Sequence, residues 1–171
     1  MKALFVHDHK FPKLDNNYFF SYGFDGEFFK RYLEIFDSFQ VIGREIDINN
    51  DNNLEKIENI DFYTIKNLKE IGKKNVRRII TDRIKNSDFI VARVPSILGM
   101  YAVLKARQLK KPYIVEVVGC YWDGLIYKGK NKIFEATLLT LLMKLIVYTS
   151  KNTVYVTECF LQNRYPTKGK S

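Results

Sequence analysis

Along this chain, short apolar runs of strand length alternate with segments whose apolar residues recur at helical spacing. That alternation constrains the fold more than any other feature of the sequence. Lys2–Val6 is a buried-strand pattern that ends in the polar group His7-Asp8-His9. After Gly26, the stretch from Glu27 to Phe36 has apolar residues at 28, 29, 32, 33, 35 and 36, the stripe of an amphipathic helix. A second strand is read at Phe39–Gly43, a polar turn at Asn49–Asn53 and a third strand at Phe62–Ile65. Lys69–Lys85 repeats the helical pattern through Ile71, Val76, Ile79, Ile80 and Ile84. Asp88–Val94 is again strand, Pro95-Ser96 opens a helix to about Leu109, and Lys111-Pro112 stops it. Tyr113–Gly119 is the next strand, Lys132–Tyr148 a helix, Thr153–Thr157 a strand and Glu158–Tyr165 a closing helical turn.

Strand and helix in strict alternation, with strands apolar throughout, predict a parallel sheet covered by helices on both faces. Right-handed crossovers then make the expected fold class α/β: a Rossmann-like doubly wound parallel sheet in a single domain. Such sheets take ligands at the carboxyl ends of their strands, near the point where strand order reverses. The places to look are therefore His7–His9, Gly43–Glu45, Arg93–Ser96, Gly119–Asp123 and Thr157–Glu158.

With 171 residues and 46% apolar composition, the chain suits one domain with a hydrophobic core. Cys120 and Cys159 match no metal-ligand spacing, and the opening strand arrives too early for a signal peptide, so a reducing, cytoplasmic setting is expected. The apolar run Ala136–Tyr148 falls short of the roughly 20 residues needed to cross a bilayer and reads as a buried or interfacial helix. Net charge is +9, and Lys66–Arg93 carries nine Lys/Arg against three Asp/Glu, with further basic clusters at Lys105–Lys111 and Lys128–Lys132. This balance favours anionic small molecules or lipid surfaces, or a merely solvated basic surface. The cations lack any nucleic-acid reader pattern, so no nucleic-acid partner is expected.

Several strand-end residues have chemistry to offer. The connection Asp8–Gly26 is long and aromatic, with Phe11, Tyr18, Phe19, Phe20, Tyr22 and Phe24, and Gly23 and Gly26 flank the next helix. Their backbone N–H groups could meet a phosphate or sugar oxygen, or the glycines merely shape the loop. Their spacing is not the dinucleotide fingerprint. His7 and His9 share a strand face, yet no third ligand accompanies them, so no metal is assigned. They read as hydrogen-bonded strand-end histidines, one of which could contact substrate as a donor or base. Tyr121 and Trp122 offer flat rings for the apolar C–H face of a sugar, and Asp123 could orient a hydroxyl or take its proton. Glu116 interrupts an apolar strand and needs a partner, for which Arg93 is the candidate; the pair suits a structural or a functional role. Ser96 sits where a helix N-cap is expected, and Cys120 has no base at fixed spacing, so no nucleophilic triad is read.

With these residues in view, the chain resembles the N-terminal domain of GT-B glycosyltransferases, specifically the retaining family-four enzymes of bacterial capsule, O-antigen and exopolysaccharide synthesis. The resemblance is carried by Lys2–Asp8, Tyr22–Gly26, Val91–Ser96, Val115–Gly119 with Trp122-Asp123, and Val154–Glu158 with Gln162–Pro166. It implies residues 1–165 as an acceptor-side domain and 166–171 as the start of a segment leading to a C-terminal donor-binding domain. It implies a glycan or lipid-linked acceptor, a nucleotide-sugar as co-substrate held by that other domain, and neither cofactor nor metal. Asp123 and Glu116 become the catalytic candidates, and His7, His9, Tyr22, Gly23, Gly26, Arg93, Ser96, Tyr121 and Trp122 the acceptor-side contacts. The family's donor-holding pair of glutamates with seven residues between them is absent here, and only Gly23 and Gly26 stand in place of a tighter Gly-Gly pair. A peripheral location on the inner face of the plasma membrane follows from the resemblance, with the basic stretch Lys66–Lys85 and the aromatic first loop against anionic headgroups. Two other readings remain: a non-catalytic subunit that recruits a donor-binding chain, and a Rossmann-like regulatory ligand-binding module.

Overall fold

The computed structural model describes residues 1–51, 54–127 and 129–171. Thus Asn52 and Asn53 of the polar turn, and Lys128 of the last basic cluster, lie outside the described residues. In chain order the elements are β1 (Lys2–Leu14), β2 (Asn17–Tyr18), α1 (Gly26–Leu33), β3 (Ser38–Asp47), β4 (Asp61–Ile65), α2 (Lys74–Lys85), β5 (Phe89–Val94), α3 (Ile97–Gln108), β6 (Tyr113–Val117), α4 (Tyr121–Ile126), α5 (Ile133–Tyr148), β7 (Thr153–Tyr155) and α6 (Phe160–Arg164). Six strands lie parallel in the order β4-β3-β1-β5-β6-β7, and β2 adds antiparallel to the end of β1. Counting the parallel strands alone, this is the order 3-2-1-4-5-6 of a Rossmann-like sheet, with strand order reversing between β1 and β5.

The two sheet faces are covered differently. On one face Ala3, Phe5, Phe39 and Val41 pack with Phe29 and Tyr32 of α1. On the other, Val76, Ile80 and Ile84 of α2 recur every fourth residue and bury against Leu4, Ile42, Ile65 and Ile90. There too, α3 bridges to a third cluster, in which Met143, Ile146 and Val147 of α5 pack on Val115 and Val117.

The first strand corrects the sequence reading. It does not stop at Val6 but runs to Leu14, and β3 runs on to Asp47 beside it. Between Val6↔Ile42 and Lys10↔Arg44 the register shifts, so His7, Asp8 and His9 bulge opposite the single residue Gly43. A Cβ on Gly43 would lie 2.8 Å from the Phe11 ring, so only glycine lets that ring cross the bulge. Beyond it the ladder resumes because Phe11 is fully buried while Lys13 pairs with Glu45 at 2.9 Å. The supposed long aromatic loop is thus largely a hairpin, and Phe11, Phe19 and Phe24 belong to the core. Of its aromatics only Tyr22 is fully exposed, which leaves the loop little to offer a membrane.

Further along, the segment read as a site loop from Gly119 folds as the short helix α4, and β7 ends at Tyr155. The last residues turn back along the sheet: Thr153 N–H donates to the Lys170 carbonyl at 2.9 Å, and Lys170 N–H to that of Lys151 at 2.7 Å.

The start of α3 lies hard against β5. Ser96 caps the helix by accepting from Gly99 N–H at 2.8 Å, and a Cβ on Gly99 would sit 2.5 Å from the Arg93 carbonyl oxygen. Backbone cannot give way as a side-chain tip can. Gly99→Ala is therefore expected to destabilise the chain by about 1–3 kcal/mol in urea unfolding. A neutral result would mean that α3 is free to slide away from the strand end.

Candidate functional site

At the carboxyl edge beside the reversal point, three polar side chains form a row across adjacent strands. Arg93 of β5 is paired in register with Glu116 of β6, and Val6 is paired with Ala92, which brings His7 of β1 abreast of Arg93. Alternation along each strand turns all three to the face that α1 covers. Helix α1 closes over them because its N-cap, Asp25, accepts from Phe28 N–H at 2.9 Å, and its inner side presents Phe28, Phe29 and Tyr32.

The expected direct pair of Arg93 and Glu116 is not made as an ion pair. Instead Tyr32 donates its hydroxyl to Glu116 Oε1 at 2.6 Å, and Arg31 supports that hydroxyl at 2.9 Å. The Arg93 guanidinium stacks over Phe24 at 5.2 Å and Phe28 at 4.8 Å. Its Nη1 is buried with no hydrogen-bond partner among the described residues. Burial, only partly offset by Glu116, holds the Arg93 pKa below its usual value. A desolvated cation with a free donor is a ready place for a carboxylate, phosphate or hydroxyl oxygen.

The histidines lie beside the same row. His7 donates from Nδ1 to the Arg93 carbonyl at 3.3 Å, leaving Nε2 as the acceptor of a neutral imidazole. His9 stacks on Phe24 at 4.1 Å, and its Nε2 lies 2.6 Å from Ser21 Oγ. Burial first, then the charge of Arg93, pushes His7 down to about 3 and His9 to about 4. Both are uncharged at neutral pH. Among the described residues, no three His, Cys, Asp or Glu gather as a metal site.

On the opposite face Asp8 closes the start of α3, accepting from Ile97 N–H at 2.6 Å and Leu98 N–H at 2.9 Å. Burial raises its pKa while those bonds oppose the rise. With Asp8 and Ser96 in place, that helix start offers no open N–H to a phosphate, and Ser96 is itself buried as a cap. Asp25 occupies the start of α1 in the same way, with Glu27 in its first turn. Gly26 is the first residue of that helix, and Gly23, at φ +75, permits the tight turn from Ser21 to Phe24 that leaves Tyr22 in solvent.

The α4 residues form a separate constellation. Tyr121 and Trp122 pack partly into the β6–α5 core, and burial raises the pKa of the Tyr121 phenol, whose oxygen has no partner among the described residues. Asp123 remains half-exposed, 3.4 Å from Arg164 of α6. A hollow of about 200 Å³ lies between Trp122, Asp123, Ile126 and Tyr127. Seven of the sequence-predicted residues thus fall into two groups, His7, His9, Arg93 and Glu116 under α1, and Tyr121, Trp122 and Asp123 on α4, while Ser96, Tyr22, Gly23 and Gly26 join neither.

Tyr32, Phe24, Phe28, Asp8 and Arg164 were not singled out from sequence. Tyr32 and Phe28 look like ordinary members of an apolar stripe, and only the phenol of Tyr32 hinted at a polar task. A roomier cavity of about 620 Å³ lies at the other edge of the sheet, among Arg107, Lys110, Lys111 and Lys151. There Arg107 donates to the Ile146 carbonyl and Lys111 to that of Ser87, as cations at helix ends do, so the strand-end row is the stronger candidate.

The strand order and the polar edge beside its reversal point define a Rossmann-like α/β domain. Over an alignment of 179 positions, covering 99% of the chain, the sequence is 36% identical to Protein CapJ of Staphylococcus aureus. The chain spans 45% of the length of that relative. No protein-family model matches. Among the described residues, no helix is long and apolar enough to cross a membrane.

Because the folded-state pKa values of His7 and His9 lie below the unfolded value near 6.5, their contribution to stability is full above that pH and is lost as the pH falls. Between pH 6.5 and 4.5 the chain is expected to lose about 3–4 kcal/mol more unfolding free energy than the His7→Gln/His9→Gln variant, about 2 from buried His7 and less from the more solvated His9. Urea titrations across that range test it, and equal slopes would mean that the imidazoles are solvated.

Proposed function

We propose that this chain is the acceptor-side half of a glycosyltransferase of bacterial surface-polysaccharide synthesis, capsule in particular. The observation that carries the reading is the row His7–Arg93–Glu116, desolvated and incompletely paired, at the edge where such sheets take ligands. Likeness to Protein CapJ along 99% of the chain supports the capsule connection. The resemblance of its short motifs to the retaining GT-B family supports sugar transfer.

In this reading a glycan or lipid-linked acceptor lies along the strand ends. Arg93 Nη1 donates to an acceptor oxygen, and Glu116, held by Tyr32, accepts from a neighbouring hydroxyl. Neutral His7 offers Nε2 as a second acceptor without adding charge. Trp122 gives a flat apolar face to a sugar ring, and Asp123, steered by Arg164, orients the attacking hydroxyl or takes its proton. The nucleotide-sugar is a co-substrate brought by a second domain or chain, for the starts of α1 and α3 are closed to phosphate by this chain's own carboxylates.

A second reading, a non-catalytic acceptor-binding subunit, draws on the fact that Glu116 and Asp123 already have protein partners in Tyr32 and Arg164. Cells that depend on this chain for surface polysaccharide separate the two. Asp123→Asn is expected to cut polymer output at least tenfold at an unchanged chain level if Asp123 acts in transfer. Undiminished output from both Asp123→Asn and Glu116→Gln would favour the subunit.

Titration of the purified chain tests the acceptor assignment itself. Oligosaccharides of the polymer are expected to bind, and Arg93→Ala to weaken them about tenfold or more without loss of fold. Tight binding of a nucleotide-sugar with no glycan bound would instead indicate a ligand-sensing module.

A further inference from the structure

Helix α5 has one apolar side more than its place in the fold requires. Ala136, Met143 and Val147 point into the core and are fully buried. Directly opposite, Phe134, Leu138, Leu141, Leu145 and Tyr148 recur at spacings of four, three, four and three, forming a continuous outward stripe. Their exposure runs from 41% at Tyr148 to 82% at Phe134, where a helix flank in water would carry polar side chains.

The stripe is bordered by positive charge. Lys144 stands at its edge, and Lys168 reaches over the Tyr148 ring at 4.8 Å. Arg164 and Lys144 line a hollow of about 470 Å³ with Leu145 and Tyr148. The helix carries a single carboxylate, Glu135, which Lys132 pairs at 2.8 Å. The stripe also lies on the flank of the sheet rather than at its strand ends, because α5 covers β6 with its other side. A domain closing over the candidate site would therefore not cover it.

We propose that the outer face of α5 docks on an anionic lipid bilayer, lying in the interface with its five apolar side chains among the acyl chains and its flanking cations at the headgroups. An apolar strip framed by cations matches such a surface in both hydrophobicity and charge. The competing basic helix α2 lacks the apolar part, since Val76, Ile80 and Ile84 all face the core. A second copy of the chain is the weaker occupant: five side chains fall well short of the roughly 20–30 residues per side of a standard protein interface. The inference deepens the reading above by naming where an acceptor would be met, and its test involves no sugar, so either can fail without the other.

Flotation of the purified chain with phosphatidylcholine vesicles, with and without one third phosphatidylglycerol, is the direct test. Binding is expected only to the anionic vesicles and to weaken in high salt. Leu138→Glu/Leu141→Glu is expected to reduce the bound fraction at least tenfold, Lys144→Glu to weaken it severalfold, and Arg77→Glu/Arg78→Glu on α2 to leave it within twofold. Leu141→Trp, which keeps the stripe apolar, should show blue-shifted emission on vesicle addition beyond that of Trp122, and covers the case of a misfolded double variant. Absence of flotation in low salt, or flotation indifferent to the α5 variants, overturns the proposal. So does a stable dimer that Leu138→Glu/Leu141→Glu converts to monomer while vesicles bind neither form, which would assign the stripe to a second copy.

Discussion

The carboxylate of Asp8 holds the centre of this domain together. It leaves β1 at the bulge and takes the first two free N–H groups of α3, a helix that belongs to β5. That contact spans the point where the sheet's winding reverses, so it sets how the two halves of the sheet meet. Ser96 takes the next N–H, and Gly99 lets the helix come down onto the Arg93 carbonyl. The anion needed by the positive end of α3 is thereby supplied from within the chain. In dinucleotide-binding sheets of this winding it is the helix after the first strand whose start meets phosphate, and here Asp25 closes that start in the same way. Here the polar groups that stay beside the reversal point lie one face away, at Arg93 and Glu116.

That displacement explains the character of the row under α1. A guanidinium beneath two aromatic rings has lost much of its hydration, and in return it has ring faces and one cross-strand carboxylate too far away for an ion pair. Neutral imidazoles beside it add no repulsion. The arrangement is stable enough to exist and still leaves one donor, Nη1, for an incoming oxygen. Tyr32 does the complementary job for Glu116, and because it hangs from α1, the carboxylate is fixed by the same helix that covers Arg93. Any motion of α1 would loosen both at once.

How much of this was legible beforehand depends on the range of the interactions. The strands β5 and β6 and the helix α2 are visible in sequence because their patterns are local: near-continuous apolar runs for central parallel strands and a four-residue repeat for a one-sided helix. The continuation of β1 was not, because it depends on Gly43, more than thirty residues away, leaving room for Phe11. Likewise Glu116 was recognisable as an anomaly within its strand, but its partner Tyr32 lies 84 positions earlier and looks like one more apolar residue of a helix stripe. Candidate residues could be placed at the right edge of the sheet by topology alone. Their division between the α1 face and α4 needed side-chain direction, which sequence spacing gives within a strand but not across the turn after Val117.

Helix α5 shows the same limit from the other side. Its sequence is apolar all round, which reads equally as a buried helix or an interfacial one, and only the fold shows that a single side has been used. The consequence is geometric. The helix covers β6 from the face opposite the polar row, so the two surfaces lie on opposite sides of the sheet and do not compete for one partner. A 16-residue helix is about 24 Å long. Lying flat on a bilayer, it would hold the strand axes roughly along the membrane plane and set the sheet between the lipid and the row beside Arg93. An acceptor whose apolar end stays in the lipid would then have to pass the carboxyl edge of the sheet for its polar end to reach Arg93 and Glu116.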